Sequence, residues 1–207
     1  MQRGRATINE TNQNNSEKQR LNSPMKDYFL HNSMNTPMTD ILCKWSSSQQ
    51  CRIIYTTERF EFSTKAIWSV LHGRRNVMCL VVTDNDDVFG SFHSLIPERR
   101  SAIVSNDKKH FVFTLRNSFN IQPTRFFQNS TNENQMIIHR DYQNSWVFGV
   151  GYGYHIRSEG KSYIGSASGE QLQRGYCDHI GLNSDIFTRS HYPDHFNFSQ
   201  IIFLQMY

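Results

Sequence analysis

The chain of 207 residues has a formal net charge of +4 and is 37% hydrophobic and 13% aromatic, with 15 Phe and 9 Tyr. That is enough apolar mass for one core plus a polar tail. The mild basic excess falls short of the charge that a dedicated nucleic-acid binder concentrates on its surface. No apolar run has the length needed to cross a bilayer. The expectations are therefore no nucleic-acid partner, no transmembrane segment, and membrane contact that is at most peripheral.

The N-terminal stretch MQRGRATINETNQNNSEKQR carries positive charge without an apolar segment behind it, so no secretory signal is expected. Neither a myristoylation pattern nor a prenylation box is present. A cytoplasmic location follows by default. Cys43, Cys51, Cys79 and Cys177 then read as reduced thiols rather than a disulfide framework.

Residues 1–36 are polar, rich in Asn and Gln, and aperiodic. Such a segment buries too little apolar surface to offset its ordering entropy, so a disordered tail is expected there. Within it, Tyr28-Phe29-Leu30 is either an incidental apolar spot or a short docking motif. Folded structure is expected from residue 37 to residue 207. Thr39 or Asp40 can cap a short helix carrying Ile41, Leu42 and Trp45. Cys51-Arg52-Ile53-Ile54-Tyr55-Thr56 reads as a strand. Ser63 looks like the cap of a second helix with Ala66, Ile67, Val70 and Leu71 at helical spacing, ended by Gly73.

After this the pattern turns to β. Val77 to Val82 is apolar on both alternating faces, as a central strand should be. Asp84-Asn85-Asp86-Asp87 is a turn into the returning strand Val88-Phe89-Gly90-Ser91-Phe92. Phe111, Phe113 and Leu115 alternate with Val112, Thr114 and Arg116, a strand with those three side chains expected inward. Further strands are expected around Trp146–Phe148, Tyr152–Ile156 and Ser162–Ile164. The apolar run Phe198–Leu204 must be buried and is expected to be integral to the sheet. The predicted class is α+β, mainly β: a two-sheet antiparallel β-sandwich with a few flanking helices.

The ordered set of motifs resembles the TLDc domain. It comprises Ile53-Ile54-Tyr55-Thr56-Thr57, then Phe62-Ser63 before a helix, then Leu80-Val81-Val82 with the acidic turn and Val88-Phe89-Gly90. Phe111-Val112-Phe113-Thr114-Leu115 follows, then Phe148-Gly149-Val150-Gly151-Tyr152-Gly153, a Ser-rich strand and an apolar terminal strand. The residues that carry the motif structurally are Phe89, Gly90, Phe148, Gly149 and Gly151. The family's last strand usually holds an acidic residue before its final apolar pair. Ile201-Ile202 stand at that place here, without a Glu, so nothing resting on that carboxylate is carried over. The resemblance implies a non-enzymatic β-sandwich that serves oxidative-stress resistance through protein partners, with V-ATPase subunits among them. It implies no catalytic residue, no cofactor and no metal.

Other constellations were weighed residue by residue. Gly149-Val150-Gly151-Tyr152-Gly153 lacks the spacing and the following helix of a dinucleotide fingerprint, and reads as packing glycines. Asp84 to Asp87 lacks the alternation and the sixth-position Gly of a calcium loop, and reads as a solvated turn. Cys177, His179, His191 and His195 match a zinc site in number but not in spacing, and a Cys177 nucleophile has no oxyanion hole announced beside it. Arg74-Arg75, Arg99-Arg100 and Lys108-Lys109 are either three unrelated loops or, if they converge, a site for an acidic partner or lipid headgroups. The alternatives to an interaction module are thus a peripheral membrane or trafficking adaptor using basic loops and, further off, a Cys- or metal-dependent enzyme.

Overall fold

Val77–Thr83 is buried along its whole length, as an unbroken apolar run requires of a strand with neighbours on both sides and cover on both faces. The structure, a computed structural model, describes residues 38–129, 134–141 and 145–207. The tail expected at 1–36, with Tyr28-Phe29-Leu30, lies outside them. Residues 39–207 form one unit. Its elements are α1 (Met38–Ser46), β1 (Cys51–Thr56), α2 (Thr64–Leu71), β2 (Val77–Thr83), β3 (Val88–His93), β4 (Ile103–Val104), β5 (Phe111–Arg116) and β6 (Thr124–Phe127). They continue with β7 (Met136–Ile138), β8 (Trp146–Val150), β9 (Tyr154–Arg157), β10 (Tyr163–Ile164), the short helix α3 (Asp185–Thr188) and β11 (Phe198–Met206).

The strands make two antiparallel sheets. The larger runs β1-β11-β2-β3-β5-β6 and the smaller β10-β9-β8-β7-β4. The terminal strand is integral, as expected: β11 lies between β1 and β2, with Ile202 opposite Leu80 on one side and Thr56 on the other. Between the sheets, Cys79, Val81, Phe89, Val112, Ile201 and Phe203 meet Ile138, Phe148, Val150, Tyr154 and Ile156. The whole is the mainly-β sandwich with few helices that the pattern predicts.

Helix α2 starts where its sequence says. Ser63 is extended, at φ −148° and ψ 157°, and its side chain accepts from the Ala66 N–H at 3.2 Å, a capping geometry. Ile67 and Leu71 enter the core. Met38 is already helical, so Thr39 and Asp40 sit in the first turn of α1 instead of capping it.

Two expectations are refined. Phe111, Phe113 and Leu115 are buried, as an inward face requires, but the space between the sheets is not where Phe111 and Phe113 go. Val112 faces it instead, and Phe111 and Phe113 turn outward beneath Trp45 of α1, at ring separations of 6.3 and 5.6 Å. The sheet is covered on both faces, and alternation alone does not say which face is inner. The Asp84–Asp87 turn was expected to be solvated throughout. Asp87 is buried, with its amide on the Thr83 hydroxyl at 3.0 Å. Burial pushes its carboxyl pKa up, while a hydrogen bond from the Ser118 backbone and the nearby Arg189 pull it down.

The motif residues explain themselves by packing. Phe89 packs against Tyr154, Phe187 and Phe196 at 5.2 to 5.6 Å, and Phe148 against Phe203 at 5.5 Å. Gly151, at φ +41°, turns β8 into β9 and accepts from His155 Nε2 at 2.9 Å. A Cβ on Gly149 would overlap the His155 ring. At Gly90 the approach is closer still: a Cβ would overlap the Cys79 carbonyl and lie 2.7 Å from Phe113 Cζ. The first obstacle is backbone in a central ladder, which cannot give way as a side chain can. Gly90→Val is expected to cost about 3 kcal/mol, the upper part of the overpacking range. Urea unfolding checks it, and a variant with an unchanged midpoint would contradict the close approach.

Candidate functional site

Two of the three basic pairs meet in space. Helix α2 ends at Leu71, and the chain then presents Arg74 and Arg75 before entering β2. The loop after β3 presents Arg99 before β4. Arg74, Arg75 and Arg99 line one cavity of about 720 Å³, together with His72, Glu98 and Ile103. A second cavity of about 300 Å³ adjoins it through the shared Arg74 and is lined by Arg52, Arg59, Ile53, Phe60 and Tyr207. Five arginines thus face a single carboxylate, Glu98, across the two linings. The third pair, Lys108-Lys109, lines neither, and Arg100 turns away to an ion pair with Asp141 at 2.9 Å.

The position follows from the sheet. Gln205 shares the face of Phe203, since side chains alternate along a strand, but it sits where the core runs out. Arg52 lies opposite it on β1. Arg74 Nη1 donates to Gln205 Oε1 at 3.3 Å, and its Nε donates to the Val70 carbonyl at 2.6 Å. A cation on the last carbonyls of α2 is well placed against the helix dipole. Arg74 is thereby fixed, while among the described residues none of Arg52, Arg59, Arg75 and Arg99 forms an ion pair. Glu58 and Glu61 flank Arg59 in its turn but line neither cavity.

The other candidate groups are dispersed. His191 Nδ1 meets Asp185 at 2.9 Å, and Gln171 Nε2 meets His191 Nε2 at 2.7 Å. His179 rests on the Phe126 ring, and His195 stands beside Tyr163. Cys177 is exposed, and Asp178 is occupied by the backbone N–H groups of Ile180, Gly181 and Asn183. Among the described residues, no three His, Cys, Asp or Glu side chains converge in a way that could hold a metal. Gly149 lies in β8, and Gly151 to Gly153 form the turn into β9, with no helix after it.

Cys43 and Cys51 are brought together. Both are half-buried, and each thiol lies close enough to affect the other's ionisation. Burial raises the Cys43 pKa, and burial with the adjacent Cys43 pushes Cys51 up to about 11. Cys79 is fully enclosed and pushed up to about 12 by burial. Poorly ionised thiols are poor nucleophiles.

These features sit on a known fold pattern. The TLDc domain model matches residues 25–201. The chain belongs to the TLDc family. The match begins upstream of the boundary at 37 expected from composition. A comparison with curated proteins gave no match. No helix among the described residues of this TLDc chain is long and apolar enough to cross a membrane.

The sequence reading passed over a buried polar cluster inside the TLDc sandwich. Ser91 Oγ lies 2.7 Å from both His93 Nε2 and Tyr154 OH. The His93 ring stacks on His110 at 4.7 Å, and His110 bonds the Phe92 carbonyl at 2.8 Å and Tyr176 OH at 2.7 Å. Burial holds His110 near 4, against the upward pull of the Phe92 carbonyl and Asp107, and holds His93 well below its ordinary value, with the His110 ring further opposing charge on His93. His155 is also held near 4, by burial first. Alternating strand positions 91 and 93 mark this face, but nothing in the sequence pairs them with His110.

The sign of the consequence is fixed. Above about pH 6.5 these rings are neutral in both folded and unfolded chains and contribute no pH dependence. Below it the unfolded chain takes up protons that the folded chain refuses until about pH 4. Stability should therefore fall as pH drops from 6.5 towards 4, by about 1.4 kcal/mol per pH unit for each ring. Urea unfolding across this window checks it. Replacing His93 and His110 by Gln should flatten the slope, and an unchanged slope would show that the two rings already accept protons in the folded state.

Proposed function

We propose that this TLDc chain is a non-enzymatic, cytoplasmic interaction module that supports oxidative-stress resistance by binding protein partners. V-ATPase subunits are among the partners that its family resemblance suggests. The observation that carries the reading is the pair of adjoining cavities that share Arg74 and set five arginines against one carboxylate. Arginine at such density, unpaired and partly preorganised, suits recognition of carboxylates. The concave linings favour a protein segment over a flat lipid surface. Cys43, Cys51 and Cys79 support the same reading, because burial opposes the thiolate that peroxide reduction needs.

The test combines chemistry with cell protection. Purified protein should consume no peroxide beyond slow stoichiometric oxidation. In cells challenged with peroxide, the Cys43→Ser, Cys51→Ser double variant should protect as well as the wild type. Arg75→Glu with Arg99→Glu, both exposed positions, should lose protection while keeping the thermal midpoint. Rapid turnover abolished by the cysteine substitutions would overturn the reading, and so would protection that survives charge reversal.

A further inference from the structure

We infer that the smaller cavity, with the edge strand β1, binds an extended acidic segment of a partner protein, which adds to β1 as a further strand. This rests on the interaction-module reading and names the chemistry of the partner.

Three features of β1 converge. First, β1 is the outermost strand of the larger sheet. Gln50 and Tyr207 exchange backbone hydrogen bonds, at 2.9 Å from the Tyr207 N–H and 3.4 Å from the Gln50 N–H. In an antiparallel ladder the next residue then points its N–H and C=O the other way. With Cys51 opposite Met206 and Ile53 opposite Leu204, the backbone groups of Cys51 and Ile53 face the side away from β11. The Thr56 carbonyl is already taken, by Arg59 and Phe60. The open stretch is therefore short and ends where Arg59 stands.

Second, the charge is complementary. Arg52, Arg59 and Arg74 line the cavity with no side-chain carboxylate among them. Cationic side chains on an edge strand often serve only to discourage pairing. That account leaves the third feature unexplained. Ile53, Phe60 and Tyr207 are 43%, 49% and 56% exposed, three of the six large apolar side chains so exposed among the described residues, and all three line this cavity. A strand protected against pairing gains nothing from apolar side chains around its arginines, whereas a binding cleft uses both. Phe60 is held in place, stacked on Tyr55 at 5.6 Å and 17°. An extended segment would supply backbone bonds to Cys51 and Ile53, carboxylates to the arginines and an apolar side chain between Ile53 and Phe60. This is strand addition with side-chain pockets for specificity.

The probe is a short fluorescent peptide alternating glutamate with phenylalanine and valine, added to the full chain and followed by anisotropy. Its counterpart has lysine in place of glutamate, and anionic phosphatidylserine vesicles are titrated in parallel. The acidic peptide should bind, and the lysine peptide should not. Arg59→Glu, at an exposed turn, should weaken binding by about tenfold or more, and high salt should weaken it too. Ile53→Pro removes an outward N–H while leaving the bonds to β11, and proline is tolerated on edge strands, so it should weaken binding at an unchanged thermal midpoint. If that variant is unstable, slowed amide exchange at Ile53 on adding peptide replaces it as the readout. Acidic-peptide binding indifferent to both substitutions, an Ile53 amide unaffected by peptide, or binding to vesicles alone would overturn the inference. An absence of peptide binding combined with loss of cell protection in the Arg75→Glu, Arg99→Glu variant would overturn strand addition and leave the module reading standing. Protection unchanged in that variant would instead remove the module reading.

Discussion

The insertion of β11 between β1 and β2 is the constraint on which the larger sheet depends. Ile201, Ile202, Phe203, Leu204 and Met206 are all buried, alternating between the inter-sheet core and the face beneath α1. Burying one such side chain contributes roughly 1.5–3 kcal/mol, so this strand alone is comparable with the net stability of a whole domain, about 5–15 kcal/mol. Its partners lie more than a hundred residues earlier in the chain, Thr56 on one side and Leu80 on the other. Such pairing is of high contact order. It also shapes the arginine-lined end: with β11 inside, β1 is left as an edge, and Gln205 is carried to the point where Arg74 is fixed.

Much of this was legible in the sequence because local chemistry and tertiary position agree there. The Ser63 cap, the wholly apolar β2, the acidic turn into β3 and the buried β11 each follow from side-chain pattern alone. The short strands Ile103–Val104, Thr124–Phe127 and Met136–Ile138 were not expected. Runs of two to four residues carry too little periodicity, and they exist because longer strands beside them need partners. Which cover buries Phe111 and Phe113 of β5 was not legible for a related reason. Phe111 and Phe113 are larger than Val112, but size does not choose between two apolar faces when a helix bearing Trp45 waits on one of them.

The candidate site was half legible. Arg74-Arg75 and Arg99-Arg100 stood out as pairs, yet they read equally well as unrelated loops. Distance in space decides otherwise. Asp107 is turned inward, accepting from the Ser94 and Leu95 backbone and from the Ser94 hydroxyl. Asp86 meets Arg116 at 3.8 Å. Asp107 and Asp86 are thus engaged elsewhere, and of the side-chain carboxylates only Glu98 lines either cavity. Arg52 and Arg59 were read as members of a strand and a turn, and only the register of β1 against β11 brings them beside Arg74.

The division of ionisable groups bears on what kind of function this TLDc chain can carry. Strongly shifted groups in a reachable cleft suggest catalysis, because a substrate must touch the group whose pKa is tuned. Here the strong shifts include those of His93, His110, Cys79, Tyr154 and Tyr163, all buried. Their shifts come first from desolvation, which holds them neutral. The groups that keep their charge and their access to solvent are the arginines at the open end. His93 and His110 are held neutral inside the sandwich, while Arg52, Arg59, Arg75 and Arg99 gather around cavities that also expose Ile53 and Phe60, and the proposed binding role rests on that division.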